Sequence, residues 1–323
     1  MAEALLSWSG TASVVQRGEL VDEVSVGFAD GAGSEPCTAS IRFQAGSISK
    51  HVLAVVVLAL AQRNELQLDH PIGRLLEKTP AVWRAITLRQ LLSHTSGLGH
   101  WGDIPGLPPV LSTPPDRAEL VALIADAPIV RTPGAGWRYS GPGFLLAGLV
   151  VEAATGTAYG AVAADLVFTP AGMRSTTSGQ FPIGRPDVAV GHHQGRRVQV
   201  HEAFAQIPGT GDLWTTTSDL IRFSQALRSG QVIDQSAAAQ LWTPHTAVEP
   251  ASGAGDQPFV AEEYGYGTFL GRIAGQDARF HPGDNPGYQS LLAYLPNRDL
   301  DLAVLGNEDE PGVSAALHHL TLD

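Results

Sequence analysis

Lysine is nearly absent from this sequence. Of its 20 basic residues only two, Lys50 and Lys78, are lysine, and the rest are arginine. A chain that uses arginine wherever a generic cation will serve makes each remaining lysine a candidate for chemistry that arginine cannot perform. Arginine stays protonated in proteins, whereas a lysine amine can lose its proton once burial or a neighbouring cation lowers its pKa. Cysteine occurs once, at Cys37, which excludes an intramolecular disulfide. Positive charge is scarce as well: 32 acidic residues leave a formal net charge of -12. That speaks against nucleic acid or an anionic membrane as a partner, since both are held by basic patches. Long hydrophobic runs are missing. The longest, Val52 to Ala61, is about half the ~20 residues of a membrane span, so no membrane association is expected. The opening "MAEALLSWSG" has neither the basic nor the apolar region of a secretory leader, and a cytoplasmic location is the expectation. A Walker loop, a G-x-G-x-x-G turn after a strand and a G-x-S-x-G elbow are all missing. His192-His193 and His318-His319 lack the spacing of metal ligands. No metal or cofactor is expected.

What is there is apolar and evenly spread. The 323 residues are 44% hydrophobic, enough for a sizeable core. Residues 11 to 45 read as strands, with Arg17-Gly18 and Asp30-Gly31 as turn signals. "SISKHVLAVVVLALAQRNELQL" reads as a buried helix despite its valines, because it is too long for a strand and Ser47 can serve as N-cap. Helices follow in "TLRQLLSHTSGL", "DRAELVALIAD", "FLLAGLVVEAATG", "AYGAVAADLVFTPAGM" and "TTSDLIRFSQALRSG", with a loop over 100–116 and irregular chain over 180–212. Strands return in "YGYGTFLGRI", "ARFHPG", "YQSLLAYLP" and "LDLAVLGN", before a last helix, "GVSAALHHL". Strands at both ends with helices between predict an α+β fold. Its antiparallel sheet is flanked by helices and built from both chain ends, with an inserted, mostly helical lobe. We expect a single domain over 1–323, with residues 1–62 plus 205–323 as the α/β lobe and 63–204 as the helical lobe.

Three stretches could carry chemistry. In "FQAGSISK", Ser47 and Lys50 are three apart, which on a helix puts both on one face with Cβ atoms roughly 5–6 Å apart. A neutral Lys50 amine could then take the Ser47 proton. Ser49 points about 100° away around the helix and cannot share that geometry. The helix N-terminus adds backbone N–H groups where an oxyanion would form. In "WRYSGPGF", Tyr139 lies between Gly/Pro clusters and is either a proton relay or a loop-packing side chain. In "FHPGDNPGYQS", His281 ends a strand, Gly283 opens the backbone, and the N–H of Asp284 is a candidate second oxyanion donor. The bland alternative there is a turn with an exposed histidine. Trp101, Trp137, Gly141, Trp214, Gly283 and Tyr288 lie in Gly-rich loops and are candidate pocket-lining residues. His94 in "LLSHTSGL" reads as a structural cap.

In this order and at these separations, the three stretches resemble those of the serine β-lactamase and penicillin-binding-protein superfamily. The likeness is to the class C β-lactamase-like branch, with its family VIII carboxylesterases and D-amino-acid-specific peptidases, and spans nearly the whole chain. "ITLRQLLSHTSGL", "TPAGMRSTTSG", "GDLWTTTSDLIRF" and "YGYGTFLG" match recurrent scaffold segments. The resemblance implies that Ser47 is the acylated nucleophile, that Lys50 activates it, and that Tyr139 shuttles the proton to the leaving group. It implies that His281 replaces the cation of the third motif and that the N–H groups of Ser47 and Asp284 form the oxyanion hole. Two positions depart from the pattern. Gly141 stands where Tyr-x-Asn places its Asn, and His281 stands where β-lactamases have Lys. Both tilt the expectation from a β-lactam or peptide towards a small or medium ester, acted on by a serine hydrolase. An acyltransferase, a D-amino-acid amidase or peptidase, a β-lactamase and a non-catalytic binding module are the alternatives. The implied partner is a small-molecule ester or amide, and oligomeric state is left open.

Overall fold

Both ends of the chain feed one sheet. The computed structural model describes residues 8–30, 33–76, 79–107, 115–200, 202, 207–249, 259–308, 312–317 and 320. Lys78, His318-His319 and part of the 100–116 loop lie outside them. The first strands are β1 (Gly10–Gln16), β2 (Glu19–Val26) and the short β3 (Phe43–Gln44). They lead into α1 (Ile48–Gln62), followed by α2 (Leu88–Leu92), α3 (Arg117–Asp126) and α4 (Gly141–Thr155). Next come α5 (Tyr159–Ala163), a π-helical turn (Ala164–Phe168) and α6 (Thr169–Ala171), so "AYGAVAADLVFTPAGM" is helical with a wide turn in its middle. Among its described residues the irregular stretch holds a small hairpin, β4 (His192–His193) and β5 (Arg196–Arg197). The rest of the chain is β6 (Trp214–Thr215), α7 (Thr217–Ser229), α8 (Gln235–Leu241), β7 (Thr246–Ala247), β8 (Phe259–Tyr264), β9 (Phe269–Ile273), β10 (Gln276–Asn285), β11 (Tyr288–Leu295), β12 (Leu300–Gly306) and α9 (Gly312–Leu317).

Eight strands form the main sheet in the order β2-β1-β12-β11-β10-β9-β8-β7, with antiparallel pairing throughout. The N-terminal hairpin therefore docks beside the C-terminal strand, as the sequence order predicts. Every residue of β12 is buried, because helices cover both faces of the sheet there. Ala303 and Leu305 join the large core that contains α1, while Leu302 and Val304 face the smaller core with Trp8, Val313 and Leu317. The period-two alternation of a strand divides its side chains between these two cores.

The α1 helix is buried from Ile48 to Leu60. Its run of valines is a poor helix sequence, costing up to ~0.7 kcal/mol per residue against alanine. Burying each such side chain returns about 1.5–3 kcal/mol, so burial decides the conformation. A buried ion pair fixes α7 to the sheet. Asp301, 2% exposed, accepts two bonds from the Arg228 guanidinium, at 2.7 and 2.6 Å, and a third from Ser224 at 2.6 Å. Replacing Arg228 with leucine strands that carboxylate in the core. The expected loss is about 3–5 kcal/mol of unfolding free energy, read from urea denaturation. A loss below about 1 kcal/mol would show that water reaches Asp301.

Candidate active site

The first turn of α1 carries the centre of the site. Ser47 occupies the N-cap position, yet its φ and ψ are helical and its hydroxyl makes no cap bond. That hydroxyl instead accepts a hydrogen bond from Lys50 Nζ at 2.8 Å. Lys50 is 2% exposed, and its second acceptor is the carbonyl of Thr210 at 3.0 Å. Burial pushes the amine from its ordinary 10.5 down to about 7, and the carboxylate of Asp212 works against that fall. Ser49 turns the other way. Its hydroxyl donates to the Gly46 carbonyl at 2.7 Å and accepts the Leu213 N–H at 3.2 Å. The two serines thus separate as helix geometry predicts.

The N-terminus of α4 supplies the second wall. Tyr139 lies next to its Ser140 N-cap, with Lys50 Nζ 5.0 Å from the ring centroid. Burial raises the phenol pKa above its usual value, while a hydrogen bond to Ser47 works against that rise. The phenol therefore stays protonated at neutral pH, a donor beside the serine. Two imidazoles accept N–H groups at this helix start. His94 Nδ1 takes the Ser140 N–H at 3.0 Å, and His100 Nδ1 takes the Gly141 N–H at 3.1 Å. Burial is the main cause that keeps both rings neutral, His100 at about 4 and His94 well below its ordinary value. His94 is fully buried at a positive φ of 57°, with its ring centroid 4.3 Å from that of Tyr139. It is the cap the sequence suggests, and it also braces the phenol. Gly141 is a necessity of packing: a Cβ there would lie 2.4 Å from Nε1 of the Trp101 indole. The half-buried Trp101 fills the space that a side chain at 141 would take.

The third wall is the far end of β10. Pairing with β9 stops at Phe280, so Pro282 to Asn285 run on beyond β9 and meet the loop before Ser47. Two glycines permit the approach. A Cβ on Gly283 would strike the Ala45 carbonyl at 2.2 Å, and one on Gly46 would lie 2.8 Å from the Asp284 nitrogen. Ser290 Oγ fastens the contact by donating to the Ala45 carbonyl at 2.8 Å. The Asp284 N–H is thereby set beside Gly46, one residue from Ser47. Gly46 has φ +51°, so Gly46→Ala adds both backbone strain and a wedge between the two strands of chain. We expect on the order of 10²-fold lower kcat/KM with little change in the amine's pKa, since the donors would be displaced from the oxyanion position. An unchanged kcat/KM would separate Asp284 from the site.

His281 sits inside the core rather than in an exposed turn. It is fully buried, its Nδ1–H donates to the Pro282 carbonyl at 2.6 Å, and its Nε2 accepts from the Tyr264 hydroxyl at 3.2 Å. Burial, then the Lys50 charge, hold the ring well below its ordinary pKa. It stands 6.3 Å, ring to ring, from Tyr139 as a neutral imidazole and supplies no cation. Trp214 and Tyr288 also leave the expected pocket wall: at 1% and 0% exposure they pack edge to face in the core, centroids 5.5 Å apart. Trp137 is half-buried among His94, Tyr139, Tyr264 and Phe269. The residue that the sequence reading missed is Asp212, a buried carboxylate felt by Lys50 from 162 positions away. In the sequence it appeared only as the second residue of "GDLWTTTSDLIRF", following Gly211.

Known proteins resemble this chain in sequence and in fold. A family model described as Beta-lactamase matches residues 8–322. Esterase EstB of Burkholderia gladioli is 34% identical over 200 residues, which are 57% of this chain and 50% of EstB. Penicillin-binding protein 4* of Bacillus subtilis (strain 168) is 25% identical over 335 residues, 94% of this chain and 69% of that protein. The chain thus spans half of one relative's length and about seven tenths of the other's. In fold, it matches a penicillin binding protein from Bacillus halodurans with a TM-score of 0.82 at 23% identity, over 97% of this chain and 95% of that one. No single helix among the described residues is long and apolar enough to cross a membrane.

Proposed function

This chain belongs to the β-lactamase family, and on that premise we propose that it is a serine hydrolase acting on small or medium carboxylic esters through an acyl-enzyme on Ser47. The observation that carries the reading is the 2.8 Å contact between Ser47 Oγ and a buried amine whose pKa lies near 7. A substantial fraction of Lys50 is then neutral at physiological pH, and the Thr210 carbonyl occupies one of its N–H groups. As Ser47 Oγ attacks the ester carbonyl, its proton passes to Lys50 Nζ. The N–H groups of Ser47 and Asp284 receive the developing oxyanion. The alkoxide leaves with a proton from Tyr139 or Lys50. Water then attacks the acyl-enzyme, the neutral amine again accepting the proton, and releases the acid.

The choice of ester over amide rests on what surrounds the serine. The Trp101 indole takes the place of any side chain at Gly141, so that wall offers no amide to grip a peptide-like acyl chain. His281 is held neutral by its burial, which removes the cation that a carboxylate-bearing substrate would use. The esterase among the relatives supports the same direction.

Intact-mass measurement tests the proposal. The protein is mixed with short-chain p-nitrophenyl esters, a D-alanyl amide and a β-lactam. A transient acyl adduct from the esters that water discharges is the expected result. Adducts from the amide or β-lactam alone would replace the ester with that substrate. An adduct discharged only by an added amine or alcohol would indicate an acyltransferase. No adduct from any of them, in folded protein, would leave a binding module.

A further inference from the structure

Asp212 has no part in the reaction as written above, yet it is 1% exposed and lies behind the reacting amine. Its Oδ1 accepts the Gly209 N–H at 2.8 Å, and its Oδ2 accepts the Ser178 hydroxyl. The first bond closes a turn over residues 209–212, at whose corner Thr210 presents its carbonyl to Lys50 Nζ. Other bonds pin the same turn. Thr210 Oγ1 donates to the Ile207 carbonyl at 2.9 Å, and Asn285 Nδ2 donates to the Gly211 carbonyl at 3.1 Å. The next residue is tied to α1: Leu213 N–H donates to Ser49 Oγ. Gly209, at φ +67°, lies against Leu53 with no room for a Cβ, the nearest atom being 2.3 Å away. A buried carboxylate is costly to keep, and a serine or asparagine could close such a turn without charge. The charge therefore calls for a reason.

We propose that Asp212 is a positioning residue for the reacting amine: it folds the turn that offers the Thr210 carbonyl to Lys50, and its negative charge offsets the desolvation of that amine. The proposal deepens the serine-hydrolase reading and rests on it for its meaning, though its test does not need turnover. Burial alone would drive a lysine far down and leave a weak base. A carboxylate nearby holds the amine at a value where it is both partly free and still basic. Burial raises Asp212 itself to about 6, against the bonds from Ser178 and the backbone, so its charge is present where the amine titrates. Of the other groups that share this surrounding, His94, His100 and His281 are depressed by burial and feel the Lys50 charge, the Tyr139 and Tyr159 phenols are raised by burial, and the Asp284 charge acts on Tyr139.

The scarcity of lysine makes the test direct. Lysine labelled with 13C at Cε gives two side-chain resonances, one each from Lys50 and Lys78, and a Lys78→Arg background leaves Lys50 alone. Titration of that resonance is compared in the parent and in Asp212→Asn, which keeps the size of the side chain and loses the charge. The expected result is a Lys50 midpoint lower by about one pH unit or more. In parallel, the acid limb of kcat/KM for a p-nitrophenyl ester moves to lower pH and its plateau falls several-fold as the base weakens. An unmoved midpoint in folded Asp212→Asn overturns the proposal, whether or not esters are substrates. A fall in the plateau with both midpoint and limb unmoved assigns Asp212 a structural role only, and also overturns it. Should Asp212→Asn fail to fold, Ser178→Ala keeps the carboxylate and removes one donor from it. The carboxyl then ionises at higher pH and the Lys50 midpoint falls by a smaller amount; no shift there overturns the proposal.

Discussion

Ser47→Ala lowers ester hydrolysis by on the order of 10⁴-fold or more, and abolishes the acyl adduct. Removing the nucleophile removes the covalent route, and what remains is binding and oxyanion stabilisation, as in other enzymes whose nucleophile, base and proton relay act as one unit. The informative control is two residues away. Ser49→Ala removes a hydroxyl whose two partners are both backbone groups, Gly46 O and Leu213 N–H. Leaving the buried Leu213 N–H without its acceptor costs about 1–3 kcal/mol of stability, while acylation at Ser47 persists. Measured side by side with p-nitrophenyl acetate and intact mass, the pair should part by orders of magnitude in rate. Equal activity in Ser47→Ala and the native protein would remove Ser47 from the chemistry. A dead but folded Ser49→Ala would place the nucleophile at the wrong serine.

Lys50→Met has two opposite effects. It removes the proton acceptor, and kcat/KM falls by about 10²–10⁴-fold. It also removes a charge from the core, and the protein becomes more stable. Lys50 has its pKa lowered in the folded state, from 10.5 to about 7. Between those values the unfolded chain binds a proton that the folded chain does not, so native stability rises with pH across that window. The cost of the buried amine is complete below pH 7, at about 5 kcal/mol, and vanishes above pH 10.5. Methionine escapes that cost but leaves the Thr210 carbonyl without its donor, which returns about 1–3 kcal/mol. The net expectation is a gain of about 2–4 kcal/mol at pH 7, shrinking as the pH is raised, measured by urea denaturation at several pH values. A loss of stability at pH 7 would mean that the amine is paired far better than its burial indicates. On the proposed mechanism the same pKa sets the rate: kcat/KM is expected to climb as the pH rises through about 7, because only the neutral amine accepts the serine proton. Stability and activity thus place opposing demands on one side chain, as is common where a site keeps a strained or desolvated group.

Local geometry made part of the site legible. Ser47 and Lys50 sit three apart at the start of one helix, and a helix places such a pair on one face whatever surrounds it. The same periodicity turned Ser49 away. Fold class was legible for a similar reason: the strands lie at both chain ends and the helices between, and sequence order left one simple antiparallel arrangement. The helix over Ile48 to Gln62 was read against its valine content because its length and unbroken apolar character demanded burial.

The remaining features depend on residues far apart in sequence. His281 could be read from the sequence as the exposed histidine of a turn, but β10 carries that ring into the core beside Tyr264, where burial keeps it neutral. Trp214 and Tyr288 looked like loop aromatics until the packing of β6 against β11 buried them together. The meaning of Gly141 came from Trp101, forty positions earlier, whose indole needs the space. Asp212 gave almost no signal, since a lone aspartate between a glycine and a leucine is usually a solvated turn. The sequence by itself determined which serine faces the lysine, because that relation lies within one helical turn. Only the tertiary structure decided that the lysine can act as a base. Its pKa is lowered by burial under segments far along the chain, those of Tyr139, Thr210 and His281 among them, and no local pattern records how dry that place is.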